Sequence, residues 1–339
     1  MNFDKPVRAF ALLYGWSGLQ LSPILLCQRL SLLSILHNIC VILVYIYMQL
    51  HYCHDESRVL LTHKKPLTGM TINAEYLLFP LAYTFSMLYF LVKGQQILKL
   101  LNSQCFVKTA SVKQVKIIAF FDNVSFLYPF LKIVPRLKFQ HLTLLTVFCK
   151  VQTFVFFYVV HIIPTIIWRL VQFYKLSSYQ SLVQIEGHLL KKEYSTVMQS
   201  VKQLASVNEQ LDALMSPVLL LLLINYSFNI VSTLCVILSN FTTIYAFSYI
   251  SFLVANLLYI IWLVNQCCQS LNRISQHFRE AENRVPVNCS PSYAFLRHID
   301  IYGHYFKYQF FSMFTIDGHF FLTAFALFVN MAVILTQTQ

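Results

Sequence analysis

The sequence predicts an all-α, polytopic membrane protein with seven transmembrane helices, a cytoplasmic N-terminus and a helical cytoplasmic anchor region. Three observations carry this. Hydrophobic residues make up 57% of the 339 positions and charged residues 11%, where soluble domains carry about 25% charge. The apolar residues fall in long runs, near the ~20 residues that a helix needs to cross a bilayer. Basic residues cluster at the ends of those runs, as membrane topology demands. The net charge of +12 is explained by that clustering, so nucleic acid is not an expected partner and the lipid bilayer is.

Residues 1–30 hold a charge-free run from Ala9 to Cys27, weakened by Gly15, Gly18, Gln20 and Pro23. It reads as a cytoplasmic or interfacial helix; an extra crossing is the alternative. The spans follow near Ser31–Gln49, Asn73–Leu91, Lys116–Leu131, Val151–Trp168, Ala213–Ser239, Phe241–Val264 and Phe311–Thr336. Residues 31–265 thus hold six spans, with cytoplasmic helical extensions over 94–115 and 170–212. An anchor loop over 266–310 and a seventh helix within 311–339 complete the chain. With the N-terminus inside, the outer segments hold only Arg58, Lys64, Lys65, Lys132, Arg136, Lys138 and Lys150 of the 25 basic residues. That bias sets the orientation.

Two cytoplasmic stretches have helical periodicity. Leu190, Val197, Leu204 and Leu211 recur every seven residues, with Tyr194, Val201 and Asn208 as a companion row. This is a helical seam that continues a span into the cytoplasm. From Cys267 to Glu280, the residues Cys268, Leu271, Ile274 and Phe278 share one face. Such helices either lie on the membrane or join subunits in a packed block.

The terminal run is free of charge from Phe320 to Thr336. Thr323, Asn330 and Gln337 stand seven apart, with Ile334 on the same stripe. Polar groups in hydrocarbon normally face a partner helix or water. The stripe is therefore either helix–helix glue or the wall of a water-filled pathway. Asp122 and His161 are ionisable residues at membrane depth; Asp122 is either a functional group or is capped by a hydroxyl such as that of Ser125 or placed at the inner interface, and bonding within the bundle is the plainer role for His161. Aromatics crowd the outward halves of four spans, among them Tyr83, Phe126, Phe157, Tyr158, Tyr245 and Tyr249. They form either an interfacial belt or the lining of a ligand pocket with Glu75 at its rim. Nine cysteines show no metal spacing or disulfide framework, although Cys53 and Cys149 would be able to pair if both lie outside. No metal, cofactor or nucleophile–base motif appears, so an enzyme is not expected.

Phe314-Thr315-Ile316-Asp317, followed by a spanning helix with Gln337 near its end, resembles the C-terminal signature of insect gustatory receptors. Asn330-Met331 and Thr338 depart from that signature, and the chain is short for the family. The resemblance implies a divergent member of the insect chemoreceptor superfamily, acting as a ligand-gated non-selective cation channel. It implies a homo- or heterotetramer with other gustatory receptor subunits, joined mainly through the cytoplasmic block. Gln337 and Ile334 would flank the outer pore constriction, with Asn330 deeper and Asp317 at the elbow where the last helix begins. A tastant, sugar or bitter compound, would bind between spans two, three, four and six. The location implied is the plasma membrane of gustatory receptor neurons, including dendrites. A G-protein-coupled-type receptor fits the span count but not the deduced orientation. A transporter fits less well, since the first six spans contain no glycine to break them.

Overall fold

The computed structural model describes helical residues between 32 and 47, and residues 66–101, 103, 167–189 (169 apart), 194–240, 244–282, 302–310, 314–316 and 318–337. Its main described elements are the helices α1 (Pro66–Leu101), α2 (residues 170–189), α3 (Tyr194–Asn240) and α4 (Ile244–Glu282), then strands β1 (Gln309–Phe310) and β2 (Phe314–Thr315), and last α5 (Gly318–Gln337).

α3 is the hub. It packs against α1, α4, α5 and β1. Its sequence explains why. Val197, Leu204, Leu211, Val218 and Asn225 are buried at strict seven-residue steps, and so are Val201, Asn208, Met215 and Leu222 between them. That repeat keeps one seam turned inward along the whole helix. The predicted cytoplasmic seam and fifth span are therefore one element, 47 residues long. Its first half exposes polar residues such as Gln199, Lys202, Gln203 and Glu209, as a helix in water does.

The same logic builds α1 and α4. In α1, Tyr83, Met87, Phe90, Ile97 and Leu101 point into the core. Leu81, Phe85, Leu88 and Val92 are exposed on the other side. A helix apolar all round needs an apolar solvent on its outer face. Leu32, Leu36, Leu43 and Val44 show the same exposure. Pro66 suits the first turn of α1, where its missing N–H has no helical partner to lose. α1 runs well beyond the predicted span at both ends, for 36 residues. In α4 the buried line is Ile260, Val264, Cys267, Leu271, Ile274 and Phe278. The sequence pattern puts Cys268 on that line; the structure puts Cys267 there, one step of four before Leu271, and leaves Cys268 half-buried. The Tyr194 and Phe278 rings meet edge to face at 5.3 Å, closing α3 on α4.

Among the described residues, Tyr194–Asn225 and Val254–Glu280 include segments long and apolar enough to cross a membrane, and Leu322–Met331 is a shorter apolar stretch. The first two overlap predicted spans five and six. The predicted third span, most of the fourth, Asp122, His161, Cys53, Cys149 and residues 1–30 lie outside the described residues.

One predicted boundary is corrected. The apolar run puts the start of the seventh span near Phe311, whereas the resemblance puts the start of the last helix at Asp317. Instead Phe314 and Thr315 pair antiparallel with Gln309 and Phe310, in the register Gln309↔Thr315 and Phe310↔Phe314. Helix begins only at Gly318 and runs 20 residues. The cause is tertiary. Phe306, Tyr308 and Ile316 are buried on the helical block, and the Ile316 N–H donates to the Tyr308 carbonyl at 2.9 Å.

Candidate functional site

Three regions bear on function: the exposed face of α5, the contacts of Tyr83, and a buried ionic knot below the root of α5.

α5 is only partly covered by its own subunit. Phe320 and Phe328 pack on the core, with half-buried Ala324 between them at steps of four. These three residues line up on one face. Val333 is half-buried as well, and the other described side chains of α5 are exposed. Thr323, Asn330 and Gln337 are exposed, and Ile334 is 58% exposed. The polar stripe read from the sequence is thus on a face that its own subunit does not cover. Two primary amides on an otherwise apolar helix are costly against lipid, so this face calls for a partner surface or water. Asp317 lies outside the described residues, next to the first helical residue, Gly318.

Of the aromatic pocket candidates, Tyr83 is described in full. It is buried between α1 and α3, and its hydroxyl accepts from Asn225 Nδ2 at 3.4 Å. The other oxygen of that pair, Asn225 Oδ1, is buried with no hydrogen-bond partner. Glu75, Tyr245 and Tyr249 lie on α1 and α4, with side chains outside the described set. Phe126, Phe157 and Tyr158 lie outside the described residues.

The third region was not legible in the sequence. Lys175 on α2 is fully buried and donates to Asp212 Oδ2 on α3 at 2.8 Å. The Tyr174 hydroxyl donates to Asp212 Oδ1 at 2.6 Å. Lys175 Nζ also reaches the Phe306 carbonyl at 3.4 Å. It sits 5.4 Å from the Tyr308 ring centroid and 5.3 Å from that of Tyr174. Around this centre, Ser178 bonds Asn208 at 2.9 Å, and the Tyr89 hydroxyl donates to the Leu214 carbonyl at 2.7 Å. Cys267 of α4 donates weakly to the Lys175 carbonyl at 3.7 Å. The knot therefore ties α1, α2, α3, α4 and the hairpin root together. Burial, and then the Asp212 charge, hold the Tyr174 phenol well above its ordinary pKa. The Tyr308 phenol is raised the same way, by burial first. Both rings lie outside the predicted spans and keep their protons, so Tyr174 stays a donor to the carboxylate. In the sequence, Lys175 counted only as a basic residue of an inner loop. The signal available was its setting, with Phe173, Tyr174 and Leu176 beside it. Its partner cannot be named without the fold.

Among the described residues, no group of three His, Cys, Asp or Glu side chains is placed to hold a metal.

No family model matches the chain, and no curated protein matches it. Solved structures do. The insect olfactory receptor OR5 from Machilis hrabei, in complex with eugenol, superposes with a TM-score of 0.64 at 11% identity, over 98% of each chain. A second structure of that receptor gives 0.54 at 10% identity, again over 98% of each chain. At this identity the likeness speaks for architecture alone: the chain shares the fold of the insect olfactory receptor OR5.

Proposed function

We propose that the chain is a chemosensory receptor that works as a ligand-gated, non-selective cation channel at the plasma membrane, of the gustatory branch of insect chemoreceptors. The observation that carries the reading is the uncovered polar stripe of α5. Asn330, Ile334 and Gln337 are exposed on a helix whose half-buried residues include Phe320, Ala324, Phe328 and Val333. Several copies arranged about an axis would turn these amides toward water and remove their cost in lipid. The likeness in fold to a receptor solved with the small molecule eugenol supports a small-molecule ligand. The gustatory assignment rests on the Phe314-Thr315-Ile316-Asp317 element and Gln337. The seven-span topology, the tetramer and the sensory-neuron location belong to the same proposal.

In this mechanism a tastant binds in the outer aromatic pocket, with Tyr249 and Tyr158 in its wall. It opens the channel because it binds the open arrangement more tightly than the closed one. Cations then pass the Gln337–Ile334 constriction and the Asn330 ring. Expression in cells with a panel of sugars and bitter compounds, read as cation current, tests the activity. Gln337→Ala is expected to change conductance or ion selectivity. A current unaltered in both would remove the pore assignment.

A further inference from the structure

Lys175 and Asp212 do more than fill the core. A buried ion pair is a poor stabiliser, since two apolar side chains of similar size often hold a core as well or better. What a cation provides that a methionine lacks is direction. Lys175 Nζ fixes three things from the C-terminal side at once: it binds Asp212 on α3 at 2.8 Å, reaches the Phe306 carbonyl at 3.4 Å and sits at 5.4 Å from the Tyr308 ring centroid. Tyr308 is also the residue whose carbonyl receives the Ile316 N–H at 2.9 Å. Two residues beyond Ile316, α5 begins. A short rigid path therefore runs from the ion pair, through Tyr308 and the β1–β2 hairpin, to the first turn of the last helix. The Tyr174 side chain beside Lys175 meets that of Tyr308 as well, and α2 continues from the predicted fourth span, one wall of the proposed pocket.

We propose that the Lys175–Asp212 pair is the positioning clamp of the last helix: it sets where the hairpin sits on the helical block, and through it the resting balance between closed and open α5. The gating half of this rests on the channel reading above; the hairpin half does not. Lys175 and Asp212 are positioning residues, since neither touches ligand or permeating ion.

The test uses the full-length protein. In Lys175→Met/Asp212→Leu, charge and direction are removed together while the core stays filled. Two measurements separate the two halves. Hydrogen exchange of peptides covering 306–316 should speed up about tenfold, as local opening becomes easier, while the 197–211 seam keeps its protection. Sodium currents, recorded at rest and with sucrose or denatonium as probes, should show a resting open fraction changed about tenfold, with unitary conductance unaltered. Exchange at 306–316 within about twofold of wild type in the folded double variant would overturn the clamp. Faster hairpin exchange with an unchanged open fraction would overturn its role in gating. If wild type carries no current with either probe, the channel reading fails while the exchange result still decides the clamp. Should the double variant not fold, Tyr308→Leu keeps the ion pair and removes the ring that Nζ faces. It should loosen the same peptides, and unaltered exchange there would equally overturn the proposal.

Discussion

Asn225→Leu should make the protein more stable, although it removes a buried hydrogen bond. Asn225 is 1% exposed on the α3 seam, one heptad after Val218. Its Nδ2 donates to the Tyr83 hydroxyl at 3.4 Å, beyond the usual ~2.7–3.2 Å range for such bonds. A long neutral bond of this kind contributes about 0.5 kcal/mol. Its Oδ1 is buried without a partner, and an unmet buried acceptor costs about 1–3 kcal/mol. Leucine is of similar size and matches Leu204 and Leu211 on the same row. The difference is a net stabilisation of about 0.5–2.5 kcal/mol, a rise of up to a few degrees in Tm. Thermal unfolding of the detergent-solubilised protein, wild type beside variant, measures it. A Tm lowered by several degrees would show that Oδ1 is satisfied in the folded protein, and the reasoning from an unmet acceptor would fail.

Three further outcomes come from the same geometry. Leu204→Ala opens a void in the fully buried seam of α3 and should cost about 2–5 kcal/mol; a loss under ~1 kcal/mol in denaturant titration would mean that the seam is not packed as described. Glu186→Gln should change stability by less than about 1 kcal/mol, because the Arg273–Glu186 pair is 3.5 Å apart with Arg273 51% exposed; a larger loss would show the pair to be part of a network. Tyr158→Ala and Tyr249→Ala should each raise the half-maximal concentration of an activating tastant about tenfold, or ~1.4 kcal/mol of binding; unchanged dose–response curves for both would remove the outer pocket.

How much of this could be read from the sequence depends on how local each signal is. The α3 and α4 seams were legible because a seven-residue repeat is a property of neighbouring turns. Val197, Leu204 and Leu211 announce their burial without knowledge of what covers them, although Cys267 and Cys268 show that the choice between steps of three and four needs the partner helix. The stripe of Thr323, Asn330 and Gln337 was legible for the same reason. The β1–β2 hairpin was not. Gln309 to Ile316 is apolar enough to read as helix, and only the docking of Tyr308 and Ile316 turns it into strands. The ionic knot was the least legible. Asp212 lies 37 residues from Lys175, and Phe306 lies 131 away. No local pattern links them, and a lysine in a topology count looks like any other. The pairing of Tyr83 with Asn225 was not legible either, because it required α1 and α3 to be placed side by side.

As a channel, the protein would gather copies of its last helix around water. A particle image of the purified protein in detergent or nanodiscs should show four subunits about one axis, with α5 innermost and the Asn330 and Gln337 amides facing an axial opening. Single subunits, or an assembly whose α5 helices close their amides against one another or against lipid with no opening between them, would contradict it.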